Sequence, residues 1–168
     1  MPGTLSAEPF SLDKRALIVG FDCGDDSYQK ELAEWIAGTD VEESLAKGTK
    51  VFLYRDDKGD VVGYGSIGET RRPWPPGQKK TSDKFSIIPA VAIKRAYWGE
   101  PKGGARESRY SSQIMNDLIA RARMLGHKVL LLYVHPDNVA AIALYGRFDF
   151  VDGGEHKGYR IMTLKLAE

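Results

Sequence analysis

The densest concentration of side chains able to hold an anion lies between Arg71 and Arg109, where ten Lys and Arg residues stand against three acidic ones, a local charge of +7. The remaining residues carry −6, so the whole chain is nearly neutral at +1. Such a segment concentrates positive potential where an anionic ligand docks, although a solvated basic surface has the same composition. Within it, the loop of residues 70–84 mixes Arg71, Arg72, Lys79 and Lys80 with Trp74, the cation and ring combination that single-stranded nucleic-acid binders use. A lid over a small substrate and a plain solvated loop are the competing readings. His127, His135 and His156 lack metal-ligand spacing, and Cys23 is the only cysteine, so no metal is expected. Cys23 itself reads as a small buried residue rather than a nucleophile.

These groups need a scaffold, and 168 residues predict a single domain over 1–168. Hydrophobic residues at 42% and charged residues at 28% exclude wholesale disorder, collagen and coiled coil. Apolar runs such as Val129 to Val134 are far short of the roughly 20 residues of a membrane span. The N-terminus lacks a secretion pattern and no internal disulfide can form, so an intracellular, cytoplasmic location without membrane contact is expected.

Asp26 with Gln29, and Thr39 with Glu42, have capping-box spacing and predict two short helices. The first carries Tyr28, Leu32, Trp35 and Ile36 on one stripe and stops at Gly38. Val51–Tyr54 and Val61–Ile67 flank turn formers and predict a hairpin. Phe85 to Ala96 is strand-like, but Pro89 cannot donate to a ladder, which predicts an edge or bulge beside the basic loop and a ligand site there. Ile114 to Leu125 predicts a helix ended by Gly126, Lys128–Val134 a buried strand, and Pro136-Asp137-Asn138 the start of another helix. Strands Phe148–Val151 and Tyr159–Leu166 are expected around a Gly153-Gly154 turn. The sum is an α/β (α+β) three-layer arrangement, a mixed, bulged central sheet between helices.

Within this order, Val134 to Val151 resembles the second conserved block of the GNAT superfamily of acyl-CoA-dependent N-acetyltransferases. Asn138, Ala141, Leu144, Tyr145 and Phe150 fall on its positions, and Asp149 replaces its usual Gly. Ile88 to Lys94 resembles the family's central strand, and Ile114 to Ala122 the helix after its pyrophosphate loop. Phe21-Asp22-Cys23-Gly24 resembles the signature of the toxin-like branch that acetylates charged tRNA. Together these cover residues 10–166.

The resemblance implies acetyl-CoA as cosubstrate. Its cofactor loop maps onto Arg106 to Ser111, with Arg109 and Ser111 standing where glycines are usual. Glycine there lets helix N-terminal amides approach phosphate. Starting the loop at Gly103-Gly104 would turn Ser108 and Arg109 inward, so the first register is preferred, with Lys102, Arg106 and Arg109 adding charged contacts and Tyr110 and Ser111 opening the helix. Backbone groups of Val91, Ala92 and Ile93 are the implied thioester-carbonyl binders, centred on Ala92 and Ile93. Tyr145 is the implied general acid toward the leaving thiolate, and Asn138 touches the pantetheine arm or caps its helix. His135 and Glu100 are candidate bases, and a low-pKa amine needs none.

The expected function is acetyl transfer to an amine, with a toxin acting on aminoacyl-tRNA competing against a small-molecule or protein-amine enzyme. The resemblance also allows a homodimer and a toxin-antitoxin setting. A GNAT-fold binding or regulatory protein without catalysis is the alternative, favoured by the missing glycines and opposed by Tyr145 and Asn138.

Overall fold

The computed structural model describes residues 3–71 and 84–167. It is mixed α/β: β1 (Ser6–Pro9), α1 (Ser27–Ala37), α2 (Thr39–Ala46), β2 (Lys50–Arg55), β3 (Val61–Thr70), β4 (Phe85–Ile88), β5 (Val91–Ile93), α3 (Tyr110–Met124), β6 (Val129–Val134), α4 (Val139–Arg147), β7 (Val151–His156) and β8 (Tyr159–Lys165). The chain forms two compact units, Met1–Ser66 with Ala90–Asp117, and Ile67–Pro89 with Leu118–Glu168. Strand β3 and helix α3 each run on from the first into the second. No described helix is long and apolar enough to cross a membrane.

In the first unit, β1, β2 and β3 lie in that order, with β5 antiparallel on β3. The predicted hairpin closes through Asp56, whose N–H donates to the Asp60 carbonyl at 3.0 Å. Helix α1 starts with the predicted capping box: the Asp26 N–H donates to Gln29 Oε1 at 2.9 Å. Helix α2 begins at Thr39, because Gly38 ends α1 and also serves as the N-cap of α2, leaving no spacer for Thr39 to cap. Phe10, Ile18, Phe21, Ile36, Leu53 and Tyr64 form the core of this unit. Gly63 is required there, since a Cβ would meet the Ile114 side chain and the Ala92 carbonyl.

In the second unit, β4 pairs parallel with β6, β6 antiparallel with β8, and β8 antiparallel with β7. Leu130, Leu131 and Leu132 of β6 are at most 2% exposed, as a strand paired on both sides demands. The final hairpin differs from expectation: β7 runs through Gly153-Gly154, and the chain turns at Lys157-Gly158, both with positive φ (51° and 85°). Gly153-Gly154 forms a bulge, two residues opposite Ile161 alone, between the Asp152–Met162 and Glu155–Arg160 pairs. Phe148 to Phe150 complete the exit from α4 rather than a strand.

The break expected at Pro89 is present. Gly68 faces Ile87 and Gly65 faces Val91, so Ser66 and Ile67 on β3 run against three residues, Ile88, Pro89 and Ala90. The extra residue is a bulge, stabilised where the Ser66 N–H donates to the Ala90 carbonyl (3.0 Å) and the Ala90 N–H to Ser66 Oγ (3.1 Å). Trp74, Arg72, Lys79 and Lys80 of the basic loop lie outside the described residues; Arg71 is exposed.

Candidate active site

Strand β5 is the predicted bulged strand, and its hydrogen bonds alternate. The Lys94 N–H donates to the Val62 carbonyl at 2.9 Å and the Ser66 N–H to the Ala90 carbonyl. Antiparallel alternation therefore turns the polar groups of Ala92 toward Tyr64 on β3, and those of Val91 and Ile93 away from it. Among the described residues no strand pairs the other edge of β5, and the N–H groups of Val91 and Ile93 have no acceptor. The expected carbonyl binders are thus narrowed: the amide of Ala92 belongs to the ladder, and Ile93 and Val91 carry the available donors. The Ile93 carbonyl is already taken by the Trp98 indole Nε1–H at 2.9 Å.

Helix α3 starts at Tyr110, one residue after the 3₁₀ turn Arg106–Ser108, in the register the sequence favours. Arg109 has φ −66° and ψ 152°, extended backbone open to any residue, so its replacement of glycine introduces no strain. The Tyr110 N–H donates to the Glu100 carbonyl at 2.8 Å and the Gln113 N–H to that of Arg109 at 3.0 Å. The N–H groups of Ser111 and Ser112 have no acceptor among the described residues, the condition under which a helix start binds an anion. Arg106 and Lys102 are exposed nearby in sequence, and Arg109 is half-buried. The Lys102 ammonium lies 3.9 Å from Glu100, while the side chains of Arg106 and Arg109 have no ion pair among the described residues. The residues present therefore fit a pyrophosphate: free amides at a helix start, flanked by unpaired guanidinium groups.

In the second unit, Asn138 caps α4, its Oδ1 accepting from the Ala141 N–H at 3.2 Å. Tyr145 is buried, its ring 5.8 Å from that of Phe150. Burial raises its phenol well above the usual tyrosine range, so it stays protonated. Among the described residues its hydroxyl has no hydrogen-bond partner, unlike that of the more deeply buried Tyr54, which donates to Asp117 Oδ2 at 2.7 Å. Asp149 has φ +71°, the left-handed region that glycine favours and Asp tolerates, which explains the substitution at the family's Gly.

The candidate bases have local duties. Nδ1 of His135 accepts from the Asp137 N–H at 3.1 Å, and Glu100 Oε2 from the Lys102 N–H at 3.2 Å. Cys23 is buried, and burial, with the charge of Asp22, pushes its thiol up to about 12. That makes it inert as a nucleophile. Among the described residues no three His, Cys, Asp or Glu side chains gather to hold a metal.

Four residues that sequence reasoning did not single out organise the first unit. Arg95 donates through Nη1 to Asp25 Oδ2 at 3.1 Å and through Nη2 to Asp25 Oδ1 at 2.6 Å, with Asp22 Oδ1 at 3.2 Å from Nη2. Trp98 anchors on Ile93 as described. Gln113 holds the N-terminal segment: its Nε2 donates to the carbonyls of Gly3 (2.6 Å) and Ser108 (2.8 Å), and its Oε1 accepts from the Leu5 N–H at 2.8 Å. These pairs are up to 110 residues apart. Nothing in local spacing reports them.

Comparison with known proteins follows the same lines. No curated protein sequence matches the chain. Among solved structures, it is similar to a mutant of the toxin AtaT bound to the C-terminus of the antitoxin AtaR and acetyl-CoA, with 14% identity over 96% of this chain and 93% of that one (TM-score 0.65). It is similar also to a GNAT-family acetyltransferase from Listeria monocytogenes, 16% identical over 96% and 95% of the two chains (TM-score 0.69). An N-acetyltransferase from Staphylococcus aureus is 16% identical over 98% and 99% (TM-score 0.64). At these identities the likeness shows the fold. The acetyltransferase (GNAT) family profile matches residues 21–150, well over half of the sequence, and the chain belongs to that family, whose cosubstrate is acetyl-CoA.

Proposed function

We propose that this protein transfers an acetyl group from acetyl-CoA to a primary amine. The observation that carries the reading is the unpaired edge of β5, where the Ile93 and Val91 N–H groups have no acceptor among the described residues. Acetyl-CoA supplies an activated thioester. The Ile93 N–H, with Val91 beside it, donates to the carbonyl oxygen and stabilises it as charge develops in the tetrahedral intermediate. The amides of Ser111 and Ser112, with Arg106, Arg109 and Lys102, bind the phosphates. Tyr145 donates its proton to the departing thiolate, a role supported by its protonated hydroxyl, which has no partner among the described residues. Asn138 acts as a helix cap, and any contact to pantetheine is made from that position.

The acceptor we favour is an amine of low pKa, which reacts without a dedicated base; the local bonds of His135 and Glu100 support this choice. An aminoacyl ester on tRNA is such an amine. The Phe21–Gly24 segment, the +7 stretch and the structural likeness to AtaT support a toxin of that class over a small-molecule enzyme.

The test begins with calorimetric titration of acetyl-CoA into the wild type and an Arg106→Ala, Arg109→Ala double variant. Micromolar binding that collapses in the variant is expected. No heat at two temperatures would overturn the reading and leave a binding protein of the same fold. Transfer is then assayed on aminoacyl-tRNA and on free amines, with Tyr145→Phe as control. Normal growth of cells under strong induction would exclude the toxin.

A further inference from the structure

Gln113 has no chemical part in the transfer just described, yet its amide is fully engaged beside the helix start that the phosphates would use. Its Nε2 donates to the Gly3 and Ser108 carbonyls, and its Oε1 accepts from the Leu5 N–H. Carbonyls accept and an N–H donates, so these three partners admit one orientation of the amide, with both of its N–H bonds used. The N-terminal segment that supplies two of the partners lies against the chain ahead of the 3₁₀ turn, for a Cβ on Gly3 would stand 3.0 Å from the Pro101 ring.

The residue these bonds surround is Arg109. It joins the turn Arg106–Ser108 to α3 through an extended backbone, φ −66° and ψ 152°, that neither element dictates. The turn's own bonds stay within it: the Ser108 N–H donates to the Ala105 carbonyl and the Arg109 N–H to the Arg106 carbonyl. So short a turn does not fix its own place on the helix. Two side chains of α3 do so, Ser112 Oγ donating to the Arg106 carbonyl at 2.9 Å and Gln113 Nε2 to that of Ser108 at 2.8 Å. Gln113 also gives its backbone N–H to the Arg109 carbonyl at 3.0 Å, and the Tyr110 N–H holds the far end of that peptide on the Glu100 carbonyl. Gln113 therefore grips the peptide on each side of the Arg109 Cα, Ser108–Arg109 by its side chain and Arg109–Tyr110 by its backbone. Two planar peptides fixed about one Cα leave its Cβ a single direction. Among the described residues the half-buried Arg109 side chain has no ion pair to aim it, so the backbone must.

We infer that Gln113 is a positioning residue: by tying the Ser108 carbonyl to α3 and to the N-terminal segment, its amide sets the direction in which Arg109 leaves the backbone to meet the phosphates of acyl-CoA. The inference rests on the acetyl-CoA reading above and deepens it, because an arginine in place of the family's glycine adds a phosphate contact when its direction is set. Leu5 and Gly3 contribute by holding the amide in its one orientation.

The test is a double-mutant cycle, read by calorimetric titration of acetyl-CoA into the full chain. Gln113→Ala is expected to weaken binding about three- to fivefold on its own, and less than about 1.5-fold in the Arg109→Ala background, where the side chain it positions is gone. The single-variant loss should shrink at high salt, since it acts through a charge. Gln113→Met, which keeps the length of the side chain without the amide, should lose as much as Gln113→Ala. Leu5→Pro removes the N–H that orients the amide and leaves the sequence of α3 untouched, so it carries the test where a Gln113 variant fails to fold; a smaller loss with the same dependence on Arg109 is expected. Equal losses in the two backgrounds, no loss in the otherwise wild-type chain, full binding by Gln113→Met, or a loss indifferent to salt would each overturn the inference. A wild type that binds no acetyl-CoA would remove the acetyl-CoA reading, and the role of Gln113 with it.

Discussion

Strands β5 and β6 are both short and apolar, Val-Ala-Ile against Val-Leu-Leu-Leu-Tyr-Val, and they use their backbones in opposite ways. Strand β6 has a neighbour on each side, so that Leu131 stands between Ile87 and Thr163 and its peptide groups belong to the sheet. Among the described residues strand β5 has one neighbour, β3, and every second peptide group faces away from it. The difference is not in hydrophobicity but in the bulge at Pro89, which ends one ladder and starts another one residue out of step. A backbone donor becomes available for chemistry where a sheet is interrupted.

The sharpest way to break this comparison is a proline in each strand. Leu131→Pro removes a ladder bond from a central strand and is expected to cost about 3 kcal/mol or more, enough to abolish the cooperative urea transition. Ile93→Pro removes only an outward N–H, so the urea transition should survive while acetyl transfer falls about 100- to 1,000-fold. Equal unfolding of the two would show that β5 is as structural as β6.

The two buried tyrosines extend the contrast to side chains. Tyr145→Phe should lower kcat by about 100-fold or more with Tm unchanged, because its hydroxyl has no partner among the described residues to lose. Tyr54→Phe breaks a 2.7 Å bond to Asp117 and should cost about 1 kcal/mol in denaturant titration without slowing transfer. Exchange of these two outcomes would reassign the acid. Next in size, Arg106→Ala with Arg109→Ala should weaken acetyl-CoA binding at least tenfold, with a smaller difference at high salt and little change in Tm. Asn138→Ala should cost about 1 kcal/mol through loss of the α4 cap; a parallel drop in acetyl-CoA affinity would add a pantetheine contact to that role.

The smallest effect is the pH dependence of stability. Hydrogen bonds hold the carboxyls of Glu8 (from Arg55), Asp25 (from Arg95), Glu69 (from His127) and Asp152 (from the Gly154 N–H) below the usual range. Groups depressed in the folded state stabilise it above the ordinary carboxylate range, and that contribution is lost as pH falls through the lowered values. Tm should therefore be flat near neutrality and decline in acid, the more steeply at low salt. A Tm that rises on acidification would contradict these pairings.

Local rules were legible in the sequence wherever the partners are near in the chain. Asp26 with Gln29, Asn138 with Ala141, and Gly126 with its φ of +83° each act within a turn, so composition and spacing report them. The last hairpin misled because Gly153-Gly154 carries the same turn chemistry as a loop, while Lys157-Gly158 turns through positive φ at a residue type that seldom adopts it. The family resemblance named Arg106, Arg109 and Tyr145, but not whether an N–H at the helix start is free or a phenol unpaired.

By itself, the sequence determined the order of elements from α1 to β8, the interruption at Pro89 and the caps at Asp26 and Asn138, because periodicity, turn chemistry and missing donors act over a few residues; it did not announce β1 or place the start of α2. The tertiary structure alone decided that Ile93 rather than Ala92 presents the outward N–H, and that Arg95 meets Asp25 across 70 positions of chain. Ladder register fixes the first and long-range packing brings the second pair together. Neither leaves a trace in neighbouring residues.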